Sequence, residues 1–104
     1  MPFPFSDLSQ AKLRPAVALA DAGRGDWILC QITSNPYGDA KAITLEDTSF
    51  AEGSLRLRSY ARPAKLFTAN DGLFVAQVGT LRNEAFNQII EATIEILRTA
   101  ASRT

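Results

Sequence analysis

Over most of the chain the apolar residues fall in short runs broken by turn formers, and near the end they change to a three- and four-residue spacing. Pro2-Phe3-Pro4-Phe5 opens as an extended piece, because two prolines forbid helix. The polar stretch Ser6 to Lys12 reads as a loop, and the compact apolar run Pro15 to Ala20 as a strand. Asp21 to Asp26, with Gly23 and Gly25, is a turn. Trp27 to Thr33, rich in aromatic and branched residues, is the expected central strand. Ser34 to Asp39 contains Asn-Pro and Tyr-Gly-Asp and is a loop.

Further on, Ala42 to Leu45 reads as a short strand and Asp47 to Gly53 as a turn. Leu55 and Leu57 alternate with Arg56 and Arg58, a period of two that predicts a strand with one buried and one wet face. Ala64 to Thr68 is another short strand. Asn70-Asp71-Gly72 is a tight-turn signal, and Leu73 to Val78 is the strand expected after it. In the last segment Phe86, Ile89, Ile90, Thr93, Ile94 and Leu97 make one apolar stripe of a helix over residues 84–100. Asn83 is the expected N-cap, and Glu84 suits the positive end of the helix. Short strands followed by one helix predict a small, mainly β barrel with a C-terminal helix laid against it.

A length of 104 residues suits one domain. The apolar share of 46% and charged share of 21% are those of an ordinary globular chain. No apolar run approaches the roughly 20 residues of a membrane span, and the start lacks the basic and apolar regions of a secretory signal. The one cysteine, Cys30, cannot form an internal disulfide, so a reducing cytoplasm is expected. There is no histidine, which removes the commonest general base and metal ligand, and no metal or cofactor is expected. Formal net charge is zero, which argues against strong nucleic-acid binding by the chain as a whole. The charge is nevertheless uneven: Arg56, Arg58, Arg62 and Lys65 share a stretch with no acidic residue, and most of the basic residues are Arg, whose planar fork suits phosphate. The same stretch is equally compatible with a solvated strand face.

Four blocks occur in order along the chain: Pro2-Phe3-Pro4-Phe5-Ser6-Asp7-Leu8 with Lys12-Leu13-Arg14-Pro15-Ala16-Val17, then Gln31-Ile32-Thr33-Ser34-Asn35, then Ser59-Tyr60-Ala61-Arg62-Pro63-Ala64-Lys65-Leu66, and last Gly79-Thr80-Leu81 before the helix. Together they resemble PemK/MazF-type toxins of type II toxin–antitoxin systems, the messenger-RNA interferases. The resemblance implies an SH3-like barrel, a homodimer, cleavage of single-stranded RNA, and inhibition by a cognate antitoxin. It places the family's catalytic arginine on Arg14 and its catalytic hydroxyl on Thr33. Two departures stand out. Relatives carry a strand ahead of the Pro-Phe-Pro-Phe block, where Met1 stands almost at it, so the N-terminal strand is expected to be shortened. The carboxylate some relatives carry in the third block has no bearer at Tyr60 or Ala61.

The implied chemistry suits these residue types. RNA supplies its own nucleophile in the 2′-hydroxyl, so the protein need only align the reacting atoms and neutralise the phosphoryl oxygens. Arg14 can grip phosphate with two prongs, and the Thr33 hydroxyl can add a further hydrogen bond. Arginine stays protonated, so its main role is electrostatic, with proton donation to the leaving oxygen as the option the family suggests. Ser34, Asn35, Arg62 and Lys65 are further RNA-binding candidates, though Ser34 and Asn35 before Pro36 also read as turn formers. Tyr37, in a polar loop, is a candidate for stacking on a base. Tyr60, Phe67 and Phe74 are core candidates, Trp27 a core or dimer-interface residue, and Cys30 an inert buried thiol. The alternatives are a catalytically inactive barrel that binds an antitoxin or another protein, and an operon co-regulator that meets operator DNA through the antitoxin complex.

Overall fold

The computed structural model describes residues 5–6, 13–55, 57–74 and 77–102, with the side chains of 15–55, 57–74 and 77–99. Three antiparallel pieces and one helix make up the fold. A four-stranded sheet runs in the order β3 (Ala16–Gly23), β4 (Asp26–Thr33), β7 (Ser59–Asn70) and β5 (Ile43–Leu45). β1 (Phe5–Ser6) pairs with β2 (Leu13–Arg14), and β6 (Phe50–Gly53) with β8 (Gly79–Leu81). Helix α1 spans Asn83–Ser102. The whole is a curled half-barrel closed by a helix. The expected shortening of the first strand concerns residues 1–4, which lie outside the described residues.

The apolar run after Pro15 extends through Asp21 and Ala22 because the turn is tighter than its composition suggests. Only Arg24 and Gly25 join β3 to β4, at φ of 58° and 82°. That is a primed two-residue turn, whose twist matches the flanking strands. Gly25 also lends its carbonyl to the Asp71 amide at 2.8 Å. Asn70-Asp71-Gly72 therefore does not close a hairpin: Asn70 accepts from the Gly72 amide at 2.9 Å and caps a 3-10 turn over Asp71–Leu73.

The sheet curls because its registers break. β7 pairs Leu66 with Cys30 but Arg62 with Gln31, leaving Pro63, Ala64 and Lys65 without partners. Pro63 has no amide to offer a ladder, so a bulge is where a strand tolerates it. The expected short strand from Ala64 is thus the middle of a twelve-residue strand that pairs β4 on one edge and β5 on the other.

Three other expectations are corrected. Leu55 to Arg58 is not a strand among the described residues; Leu57 is 67% exposed, so the alternation has no sheet to face, and Arg56 lies outside the described residues. Leu73 to Val78 is likewise not a strand where described; the strand comes later, as β8, held by its pairing with β6. Asp47 to Gly53 is a 3-10 turn (Asp47–Ser49) followed by β6, with Ser49 Oγ accepting from the Glu46 amide at 3.1 Å. Gly53 and Gly79 face each other in that pair. A Cβ on Gly53 would lie 2.2 Å from the Val78 carbonyl oxygen, so neither backbone could approach if position 53 carried a side chain.

The main core joins both sides of this arrangement. Val17, Cys30, Ile32, Leu45, Phe50, Ala61 and Leu81 meet Ala85 and Ile89 of the helix. Thr93, one turn further, is buried with its hydroxyl donated to the Ile89 carbonyl at 2.8 Å. The helix starts one residue earlier than its N-cap signal implies. The Phe86 amide bonds the Arg82 carbonyl, while Arg82 itself donates from Nε to the Thr48 carbonyl at 3.0 Å. A smaller cluster of Ala16, Ala18 and Leu29, with Trp27, Phe67 and Phe74 against it, covers the opposite face of the sheet.

Truncating the fully buried Ile89 to Ala should lower unfolding free energy in urea by about 2–5 kcal/mol, with Leu97→Ala nearly neutral because that side chain is 58% exposed. Burial pushes the Cys30 thiol up to about 12. At neutral pH a thiol reagent should therefore label Cys30 only in denaturant; rapid labelling of the folded protein would contradict this packing.

Candidate functional site

The candidate residues gather at the end of the central sheet where β4 runs out. Alternation along β4 puts Gln31 and Thr33 on the face opposite Cys30 and Ile32. Across the ladder Gln31 pairs with Arg62 and Thr33 with Tyr60, so these four side chains share one face. The bulge at 63–65 sets this arrangement: without it, Thr33 would meet a different part of β7. Tyr60, expected in the core, stands instead on the polar face, half-buried beside Thr33.

Arg14 reaches the same end through backbone register. Ala16 pairs with Gln31, and the Ile32 amide donates to the Pro15 carbonyl at 3.2 Å. Proline cannot return the second bond of that pair. Arg14 itself is the last residue of β2, paired with Phe5 of β1, and stands one residue before this contact as Thr33 stands one residue after it. The side chain of Arg14 lies outside the described residues.

Beyond Thr33 the chain turns back on itself through its own polar groups. Thr33 Oγ1 accepts from the Asn35 amide at 3.1 Å and donates to the Asn35 carbonyl at 3.0 Å. Asn35 Oδ1 accepts from the Tyr37 amide at 2.9 Å. These are the local side-chain bonds that make Thr and Asn turn formers. Tyr37 sits at φ 52°, in the left-handed region, with Gly38 following at 74°. Ser34 is exposed.

An ion pair ties this loop to the sheet. Arg62 Nε donates to Asp39 Oδ2 at 3.0 Å, with both side chains largely covered (17% and 12% exposed). Asp39 Oδ1 accepts from the Lys41 amide at 2.9 Å, and Arg62 Nη1 reaches Gln31 Oε1 at 3.4 Å. The Lys41 amide and the Arg62 guanidinium hold the Asp39 carboxyl below the usual carboxylate range. The guanidinium carbon lies 6.0 Å from the centre of the Tyr37 ring, at the outer reach of a cation–π contact. Lys65, in the bulge, is exposed.

Thr33, Asn35, Tyr37 and Arg62 are thus brought together, with the Pro15–Ile32 contact between the segments that carry Arg14 and Thr33, while Ser34 and Lys65 stand at the margin. Sequence reasoning missed Asp39 and Gln31. Gln31 was readable, being two positions before Thr33 on a strand. Asp39 was not, since its partner is 23 residues away in the chain. Among the described residues no group of three or more Cys, Asp or Glu is gathered closely enough to hold a metal ion. A separate cleft of about 190 Å³ lies between Leu45, Phe50, Leu55 and Leu57, beside the Glu46–Arg58 pair, and contains none of the candidate residues.

No family model matches the chain, and no curated protein matches it in sequence. Solved structures do match it in shape. The Mycobacterium tuberculosis toxin MazF-mt6 superposes with a TM-score of 0.74 at 18% identity, over 94% of this chain and 97% of that one. A mycobacterial endoribonuclease solved in complex with its cognate antitoxin gives 0.71 at 13% identity, over 92% and 88%. MazF from Deinococcus radiodurans gives 0.71 at 15% identity, over 92% of each chain. The fold implied by the PemK/MazF resemblance is the fold found.

Because the folded-state pKa of Asp39 is depressed, the stability this pair contributes is complete above the unfolded carboxylate value. It is lost only as pH falls through the lower folded value. Following the Asp39 carboxyl by NMR, titration should fall below that of a free aspartate and move back up in Arg62→Gln; an ordinary titration in the wild type would show that the pair does not persist in solution.

Proposed function

We propose that this chain is the toxin of a type II toxin–antitoxin pair, an endoribonuclease that cuts single-stranded RNA with the RNA 2′-hydroxyl as nucleophile. One observation carries the reading: Ala16 pairs with Gln31 and the Pro15 carbonyl accepts the Ile32 amide, so the chain neighbours of Arg14 and of Thr33 are hydrogen-bonded to each other. The ordered motifs and the shape shared with the toxin MazF-mt6 and with an endoribonuclease solved in complex with its cognate antitoxin support it.

In the proposed reaction the 2′-hydroxyl loses its proton to solvent as its oxygen forms a bond to phosphorus, and the bond to the 5′-oxygen breaks with that oxygen taking up a proton, leaving a 2′,3′-cyclic phosphate and a free 5′-hydroxyl. Arg14 neutralises the charge that builds on the phosphoryl oxygens, with proton donation to the leaving oxygen as its second possible task. The Thr33 hydroxyl, already oriented by the Asn35 amide, can swing its proton from the Asn35 carbonyl to a phosphate oxygen, since a hydroxyl hydrogen rotates freely. Neither role calls on a metal. Asn35, Ser34, Tyr37, Arg62 and Lys65 border the path of the RNA on this reading. The chain acts in the cytoplasm as a single-domain toxin and a homodimer. A cognate antitoxin covers the same surface and brings the complex to operator DNA.

Purified protein should cut single-stranded RNA in the presence of a chelator and leave cyclic-phosphate ends. Arg14→Ala should lower the rate on the order of a hundredfold or more, and Thr33→Val, which keeps the branched shape and removes the hydroxyl, should also impair it, both with unchanged circular dichroism. Intact RNA after incubation with folded wild type would leave the inactive-barrel alternative standing.

A further inference from the structure

We infer that Tyr37, Arg62 and Asp39 form a subsite for one unpaired nucleobase beside Thr33. Tyr37 stacks on the base, Arg62 backs the tyrosine ring, and Asp39 is a positioning residue that holds Arg62 without touching the ligand. The inference rests on the RNA reading above and deepens it.

The first support is the state of Tyr37. Its side chain is 73% exposed, the most exposed of the large apolar and aromatic residues described. Its backbone sits in the left-handed region, which a residue with a Cβ avoids. A left-handed backbone and a ring mostly in water bury little apolar surface in return for the strain. Yet the conformation is specified, because Asn35 Oδ1 accepts the Tyr37 amide and the Asp39 amide donates to the Pro36 carbonyl at 2.9 Å. Strain held in place by its surroundings belongs to a working surface. An aromatic face presented to solvent is what a splayed base stacks on, whatever its identity.

The second support is the charge state of Arg62. Its guanidinium is mostly covered and already satisfied by Asp39 and Gln31. A cation neutralised in this way has little to gain from phosphate and releases few counterions on binding. It suits instead the support of an aromatic ring. Lys65, three residues on, is exposed and has no ion pair among the described residues, so it is the better phosphate contact. The clamp also fixes where the ring stands. Asp39 joins the loop to β7, and β7 is hydrogen-bonded to the strand that carries Thr33. Tyr37 is therefore held at a set offset from the Thr33 hydroxyl, as a base neighbouring the cut phosphate would require.

The test uses an oligoribonucleotide that the wild type cuts, a copy made uncleavable by a 2′-deoxy sugar at the cut, and copies with a single abasic residue at each position around it. Tyr37→Ala should raise KM, and the Kd for the uncleavable copy, on the order of tenfold with kcat nearly unchanged, while Tyr37→Phe stays close to wild type. At one abasic position the difference between wild type and Tyr37→Ala should vanish. Asp39→Asn should weaken binding in the same sense, and Arg62→Gln should leave the salt dependence of binding as it is, whereas Lys65→Gln should make it shallower. A wild-type protein that cuts RNA while Tyr37→Ala matches it overturns the subsite alone. So does a Tyr37→Ala effect that persists at every abasic position, which would point to a contact with sugar, phosphate or a protein partner. A shallower salt dependence in Arg62→Gln overturns the role given to Arg62. A wild type that neither binds nor cuts single-stranded RNA removes the parent reading, and the subsite with it.

Discussion

The pairing of β4 with β7 changes register by three residues at Pro63, Ala64 and Lys65, and the arrangement of the molecule follows from that change. On one side of it Leu66 and Phe67 oppose Cys30 and Leu29; on the other Arg62 and Tyr60 oppose Gln31 and Thr33. The strand bends there, as strands do at bulges, and its far half becomes free to pair with β5. The proline that forces the break is itself fully buried, so the bend is anchored in the interior and not left to solvent.

Two faces with different duties result. One receives the helix through Ala85 and Ile89 and is filled by aliphatic residues from most of the strands. The other carries a small apolar cluster built on Ala16, Ala18 and Leu29, then gives way to Gln31, Thr33, Tyr60 and Arg62. A polar row continuous with a packed one is held rigidly by strands rather than by loops, which is what a site that must align reacting atoms needs. The loop that follows Thr33 is shaped by its own hydrogen bonds, and its ion pair ties that shape to the sheet. Arg62 and Asp39, both largely withdrawn from water, join it to the same strand that positions Tyr60. The pair is more shielded than a surface salt bridge, and its role is better described as fixing one loop geometry than as adding stability.

The similarity of shape to the toxin MazF-mt6 and to a mycobacterial endoribonuclease, at 18% and 13% identity, fits this view. Registers, bulges and core volume can be met by many sequences, so one shape is compatible with very different residues. Thr33 and Arg62 lie where β4 and β7 meet at the polar end of the sheet.

Local pattern by itself determined the strands read at Pro15–Ala20, Trp27–Thr33 and Ala42–Leu45, each within a few residues of its observed bounds, the loop from Ser34, and the helix with its stripe of Ile89 and Thr93. Each depends on periodicity or turn chemistry contained within a few residues. Arg14 and Thr33 were singled out by the resemblance of the ordered motifs to PemK/MazF-type toxins and not by local pattern. What it misread were segments whose fate is settled by distant partners. Leu55 to Arg58 alternates like a strand but finds no edge to join, and Leu73 to Val78 yields to β8, whose partner β6 looked like a turn. The clamp of Arg62 on Asp39 left no trace in the order of residues, because an ion pair across 23 positions obeys no period. Tertiary structure alone decided which polar groups meet, since that depends on the register of strands and the place where a bulge shifts it.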